Sequence, residues 1–246
     1  MKNIKMILSY DGTKYLGWQK TPCGPTIEEA LENALFQIFQ TPIRLQAASR
    51  TDAGVHAYGQ VVNFFIDDEV EEGKLLHSMN GLLAKDISIR AIEQSREDFH
   101  PTLDSKGKEY CYYICNSTYQ LPFHKNFSWH FPYDMCFSTL QKATHTLTGY
   151  KDFSTFCNDR NQFSRSTFCK ISSITIEQLP LERICIRIQG TRFLYKMVRN
   201  MVGTLAYIAS GKIPLPALES ILSSRQRASA GITAPAQGLF LNQVFY

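Results

Sequence analysis

Ala47-Ala48-Ser49-Arg50-Thr51-Asp52-Ala53-Gly54-Val55-His56-Ala57-Tyr58-Gly59-Gln60 crowds polar chemistry between two apolar, strand-like runs. Before it stands Ile43-Arg44-Leu45-Gln46-Ala47, and after it Gln60-Val61-Val62-Asn63-Phe64-Phe65-Ile66. Gly54 and Gly59 allow backbone conformations that other residues resist, as a tight loop between strands requires. A carboxylate on such a loop, held by two strands, is well placed for catalysis. The same stretch also fits an ordinary polar turn, with Asp52 as an Asx-turn or helix-cap residue.

Working outward, residues 4–10 alternate imperfectly and predict a strand. Gly12 and Gly17 predict turns in the segment that follows. Its aromatics and Lys14 are candidates to meet a nucleic acid, although Trp18 fits packing under a loop better. Thr26 and Glu29 have capping-box spacing, and Ile27, Ala30, Leu31, Ala34, Leu35 and Ile38 form one helical stripe. A second stripe, Leu75, Leu76, Met79, Leu82 and Leu83, predicts a helix over 74–83, with a strand at 87–92. The order strand, helix, strand, strand, helix, strand suits a split β-α-β, ferredoxin-like unit.

Residues 96–107 are polar, contain Pro101 and Gly107, and read as a boundary or a crossover, with the halves divided between residues 105 and 106. Beyond it, 108–115 is a strand by alternation and aromatic content, with Tyr110, Tyr112 and Ile114 on one face. Leu140, Ala143 and Leu147 mark a helix that Gly149 would end. Residues 157–168, with Arg160 and Arg165, read as a mobile loop. Paired strands are predicted at 171–176 and 183–188, then a long apolar helix over 192–209, a short helix at 214–224 and a last strand at 238–246. The second half approximately repeats the element order of the first. The reading is an α+β protein of two ferredoxin-like halves, 1–105 and 106–246, with a joined, mostly antiparallel sheet and a central cleft.

The chain has 246 residues, 44% of them hydrophobic, as expected of a globular protein with a real core. Its net charge of +4 is compatible with an RNA partner without requiring one. No run of apolar residues is long enough to predict a membrane span, and the start reads as a first strand, not a signal peptide. Seven cysteines stand at irregular spacings, with no C-x-x-C pair. They read as reduced, mostly buried thiols of a cytosolic protein, and no zinc site is expected.

Arg199 is the most telling residue outside the loop, because it interrupts the apolar helix between Val198 and Asn200. A buried guanidinium is costly unless paired, or unless its stem carries it to solvent. Asp52 is the partner chosen here, since a neighbouring guanidinium favours the charged form of a carboxylate. Arg192, Lys196 and Arg199 would share a helical stripe. Arg192 and Lys196, together with Lys14, Lys20, Arg160, Arg165 and Arg187, are candidates for a phosphate track, or are ordinary solvated surface charges. His56 is read as loop packing.

Arg50-Thr51-Asp52-Ala53-Gly54-Val55-His56-Ala57 resembles the signature of the TruA family of tRNA pseudouridine synthases. The likeness extends along nearly the whole chain. It includes Tyr10-Asp11-Gly12 with Gly17-Trp18-Gln19, Asp98-Phe99-His100 with Lys108-Glu109-Tyr110-Cys111-Tyr112, residues 193–203, and Gly238-Leu239-Phe240-Leu241 with Val244 and Tyr246. Two places depart from the family pattern: Pro101-Thr102 stand where Ala-Arg is usual, and Lys108-Glu109 replace a pair that is often more basic.

The resemblance implies isomerisation of uridine to pseudouridine at positions 38, 39 and 40 of the tRNA anticodon stem-loop, in the cytoplasm, by a homodimer that needs no cofactor and no metal. Asp52 would be the essential carboxylate and Arg199 the cation that keeps it charged and placed. Tyr110 would stack on the base, and Arg50 would fill the space the flipped base leaves or grip the backbone. The first alternative is a non-catalytic RNA-binding protein of the same fold. The second is a hydrolase with an aspartate nucleophile, which needs a second carboxylate; Asp11 is the one tempting partner.

Overall fold

Alternating burial along Lys2–Tyr10 forms β1, the first strand of a computed structural model that describes residues 1–158 and 166–246. The apolar stripe then makes α1 (Ile27–Phe39), opened by Thr26, whose hydroxyl accepts from the Glu29 amide at 3.3 Å. Such a cap is worth about 1 kcal/mol. β2 is only Gln46–Ala47, and β3 runs His56–Ile66, starting earlier than the apolar run because Ala57, Gly59 and Gln60 are also buried. α2 (Glu72–Leu82) buries Leu75 and Met79, a narrower stripe than expected, with Leu82 exposed. β4 is Ile87–Ser95.

β1 pairs antiparallel with both β3 and β4, and β2 pairs antiparallel with β3. The order β4-β1-β3-β2, with α1 and α2 as crossovers, is the split β-α-β arrangement expected.

A second set of elements follows. β5 (Gly107–Cys115) pairs parallel with the short β6 (Trp129–His130). α3 is Phe137–Leu147, β7 Gly149–Asp152, β8 Phe168–Leu179 and β9 Arg183–Gly190. Antiparallel pairing gives the order β5-β9-β8-β7. α4 is Met197–Ala209 and α5 Ala217–Ser224. β10 is Leu239–Phe245, and its Phe240 and Leu241 lie parallel to His56 and Ala57 of β3. By compactness the chain divides into Met1–Lys106 with Phe240–Tyr246, and Gly107–Leu239. A boundary at residue 105 alone would leave the last strand with the second half. Both units are of mixed helix and sheet, so the fold is α+β.

Two expectations are corrected. The long helix does not begin at residue 192: Lys196 is in the left-handed region (φ 58°), and α4 starts only at Met197. The apolar run continues through Phe193 and Leu194 without helix, so Arg192 and Lys196 share no helical stripe with Arg199. Tyr10 and Tyr15, candidates to meet a nucleic acid, are instead buried, while Trp18 is buried as its packing role required. The loop expected at 157–168 lies outside the described residues over 159–165, and Arg160 and Arg165 with it. Five cysteines are buried, Cys23 and Cys136 are exposed, and none forms a disulfide among the described residues. No helix among the described residues is long and apolar enough to cross a membrane.

Candidate active site

The Asp52 loop is held by backbone groups that belong to the turn before α1. The first amides of α1 have no partner within the helix. Here Ile27 N donates to Gly17 O (3.2 Å) and Glu28 N to Trp18 O (3.1 Å). The same turn reaches the loop on its other edge, where Trp18 N donates to Thr51 O at 3.0 Å and Gly54 N to Tyr15 O at 3.3 Å. Gly17 makes this approach possible. It sits at φ +98°, and a Cβ there would lie 2.6 Å from Thr51 O. Val55 N closes the loop on Asp52 O at 3.1 Å.

Side chains fix the loop from below. The hydroxyls of Tyr10 and Thr51 hydrogen-bond at 2.8 Å in a buried position. Gln60, fully buried, takes both backbone groups of Ser49: its Oε1 accepts from Ser49 N (3.2 Å) and its Nε2 donates to Ser49 O (2.6 Å). His56 accepts from Gly12 N at Nδ1 (3.0 Å) and stacks on Phe240 with ring centroids 4.5 Å apart, so it packs the loop as expected. On this base Asp52 is half-buried and Arg50, two residues earlier, is exposed. Asp11 serves as a cap, accepting from Thr13 N at 2.9 Å, and its Oδ1 lies 3.1 Å from His56 Nδ1. Those contacts explain Asp11 without a catalytic role.

The other two candidates belong to the second unit. Tyr110 is buried on β5 and meets Phe193 edge-on, with centroids 5.0 Å apart. Arg199 is half-buried in the first turn of α4. Its Nε donates to Ala234 O at 2.8 Å, while Ala234 N donates back to Arg199 O at 3.1 Å. Tyr112, on the Tyr110 face of β5, donates to the next carbonyl, Pro235 O, at 2.7 Å. Burial holds the Tyr112 phenol well above its usual range, against the pull of the Arg199 charge. Arg199 and Tyr112 thus converge on adjacent carbonyls of one segment. Arg50 and Asp52 share one loop in the first unit.

Of the candidate phosphate track, Lys20 is ion-paired with Glu32 (2.9 Å) and Arg187 with Glu177 (3.3 Å). Lys14 and Arg192 are exposed. Residues the sequence left without a role here are Tyr10, Gln60, Tyr112 and Ala234. A glutamine inside an apolar strand was a signal for Gln60; a backbone carbonyl leaves none. Among the described residues, no three His, Cys, Asp or Glu side chains are grouped so as to hold a metal ion.

Comparison with known proteins fits this frame. A family model described as tRNA pseudouridine synthase matches residues 6–104 and 143–246. The chain is 48% identical over 248 residues to tRNA pseudouridine synthase A 2 of Protochlamydia amoebophila, covering 100% of this chain and 95% of that protein. It is 38% identical over 246 residues to tRNA pseudouridine synthase A of a Thermoanaerobacter species, covering 100% of both. The chain belongs to the tRNA pseudouridine synthase family.

Proposed function

We propose that this chain isomerises uridine to pseudouridine at positions 38, 39 and 40 in the tRNA anticodon stem-loop, with Asp52 as its essential carboxylate. The C1′–N1 glycosidic bond breaks, the uracil turns, and C1′ is rejoined at C5. The C5 proton leaves and N1 gains a proton, so no electrons and no phosphoryl group change hands, and the chemistry calls for no cofactor. Asp52 attacks C1′ or C6, or takes a proton from the sugar. Arg199 supplies the cation that keeps the reacting carboxylate charged. Tyr110 stacks on the extruded base, and its hydroxyl assists loss of the C5 proton. Arg50 is exposed, as required of a side chain that grips the backbone or fills the vacated stack. The enzyme works as a cytoplasmic homodimer, with one tRNA engaging both subunits.

The observation that carries this reading is likeness over the entire chain to tRNA pseudouridine synthases A. The clamped loop under Asp52 supports it, because a carboxylate must be fixed to within a fraction of an ångström to attack. The test is pseudouridine mapping on unmodified tRNA transcripts with the wild type and with Asp52→Asn. Product at positions 38–40 from the wild type alone is expected. Retained tRNA binding with no product from either protein would leave a non-catalytic RNA-binding protein. Release of free uracil would mean a hydrolase. Equal product from both would remove Asp52 from the mechanism.

A further inference from the structure

Arg199 sits on a long, flexible stem, and holding such a side chain in one pose costs rotamer entropy. One of its partners, Ala234 O, belongs to the irregular segment 231–234, so a rigid segment helps to aim Arg199. Several contacts bring it onto α4. Gly203 lies so close to Ile232 O that any Cβ would overlap it. Gly231 N donates to Thr204 Oγ1 at 2.9 Å, and Thr204 Oγ1 donates to Asn200 O at 2.8 Å.

The remaining fixation comes from a closed ring of side chains. Arg227 Nη2 donates to Thr233 Oγ1 (2.9 Å), and Thr233 Oγ1 donates to Asn200 Oδ1 (2.7 Å). Asn200 Nδ2 donates to Asn158 Oδ1 (2.6 Å), which also accepts from Arg227 Nε (3.4 Å). Arg227 Nη1 additionally holds Gly231 O at 2.8 Å, and Asn200 Nδ2 reaches Phe156 O at 2.7 Å. Three links run head to tail from Arg227 through Thr233 and Asn200 to Asn158, so each polarises the next, and the fourth, from Arg227 Nε to Asn158, closes the ring from the other side. Arg227 starts two of the four links: from one planar fork, Nη1 and Nη2 clamp the segment at Gly231 and Thr233 while Nε holds Asn158. Lysine could not copy that geometry. Its acceptors here are a carbonyl, a hydroxyl and an amide oxygen, all neutral, and burial lowers the guanidinium below its usual value. A cation half-buried against neutral groups is an expensive way to secure a loop. The fork geometry is what it contributes.

We infer that Arg227 is a positioning residue of the reaction: with Thr233, Asn200 and Asn158 it fixes segment 231–234, and through Ala234 O that segment aims Arg199. The inference rests on the role proposed for Arg199. Three variants test it: Arg227→Gln, the near-isosteric Thr233→Val and Arg199→Lys, alone and in pairs. Single-turnover rate on a tRNA transcript, tRNA affinity and thermal melting are read for each. Arg227→Gln and Thr233→Val should each slow the single-turnover rate on the order of ten- to a hundredfold, the size of a small misplacement of a reacting group, with tRNA affinity unchanged. In the Arg199→Lys background, which lacks the Nε donor to Ala234 O, neither should slow it further. Unchanged rates in folded variants, a loss confined to affinity, or losses that multiply with Arg199→Lys would overturn the inference. Should Arg227→Gln not fold, Thr233→Val decides alone. A wild-type rate in Arg199→Lys by itself would instead sink the role of Arg199.

Discussion

Around Asp52 the holding groups are mostly backbone, whereas around Arg199 the backbone partner is itself held by side chains. The first loop is gripped by carbonyls and amides of residues 15–18, brought close through Gly17 and tied to the start of α1. The turn at Arg199 leans on Ala234, which a ring of arginine, threonine and two asparagines steadies. Backbone-to-backbone contact is set by the fold and tolerates almost no added volume. A side-chain ring can lose one member and relax. Substitutions near Asp52 should therefore act through folding and steric exclusion, and those near Arg227 through rate.

Gly17→Ala puts the sharpest strain on that contrast. The new methyl would sit 2.6 Å from Thr51 O on a residue at φ +98°. A cost of about 3 kcal/mol is expected from the backbone region and the clash together, with pseudouridine formation lost alongside. Urea denaturation would read it, and a wild-type midpoint would mean that the turn is not clamped as described. Gln60→Leu comes next. It removes the Gln60 hydrogen bonds to both backbone groups of Ser49, at a cost of about 2 kcal/mol. The melting temperature should fall and the rate with it, because Ser49 precedes Arg50; a rate loss without a stability loss would make this loop resemble the Arg227 ring. Tyr10→Phe removes only the hydroxyl bonded to Thr51, so about 1 kcal/mol is expected, read by the same melts.

The contrast also explains what could be read from the chain. The Asp52 loop is contiguous, lies between two patterned strands, and contains its own turn residues, so its place and the element order around it were legible. Thr26 announced its cap, and the stripe from Ile27 to Leu35 announced α1. The Arg199 region was legible only in part. Apolar periodicity through Phe193 and Leu194 extended the helix too far, because nothing in composition marks Lys196 as left-handed. Asn158, Arg227 and Thr233 are ordinary polar loop residues, distant along the chain from Asn200, and only the fold brings them together. Tyr10 and Tyr15 were misread as candidates to meet a nucleic acid because a glycine-bounded turn resembles a surface loop; here that turn is roofed by the Asp52 loop itself.

The smallest expected effect concerns the far end of α4, where Cys136 N donates to Ala209 O at 2.8 Å. Cys136 is exposed, and its sulfur takes hydrogen bonds from Ser138 (3.3 Å) and Thr139 (3.2 Å), in that order of influence. They favour the thiolate and lower the thiol to about 7. Thiolate is the reactive form, so alkylation should accelerate as pH rises, with half its maximal rate near pH 7. In a Cys23→Ser background the other five cysteines are buried, and this reaction should be isolated. If Arg199 is aimed from the N-terminal end of α4, by segment 231–234, then blocking Cys136 should leave single-turnover rates unchanged. A slowed rate in alkylated protein of unchanged melting temperature would show that α4 transmits strain along its length, and that the Arg227 ring is not what sets Arg199.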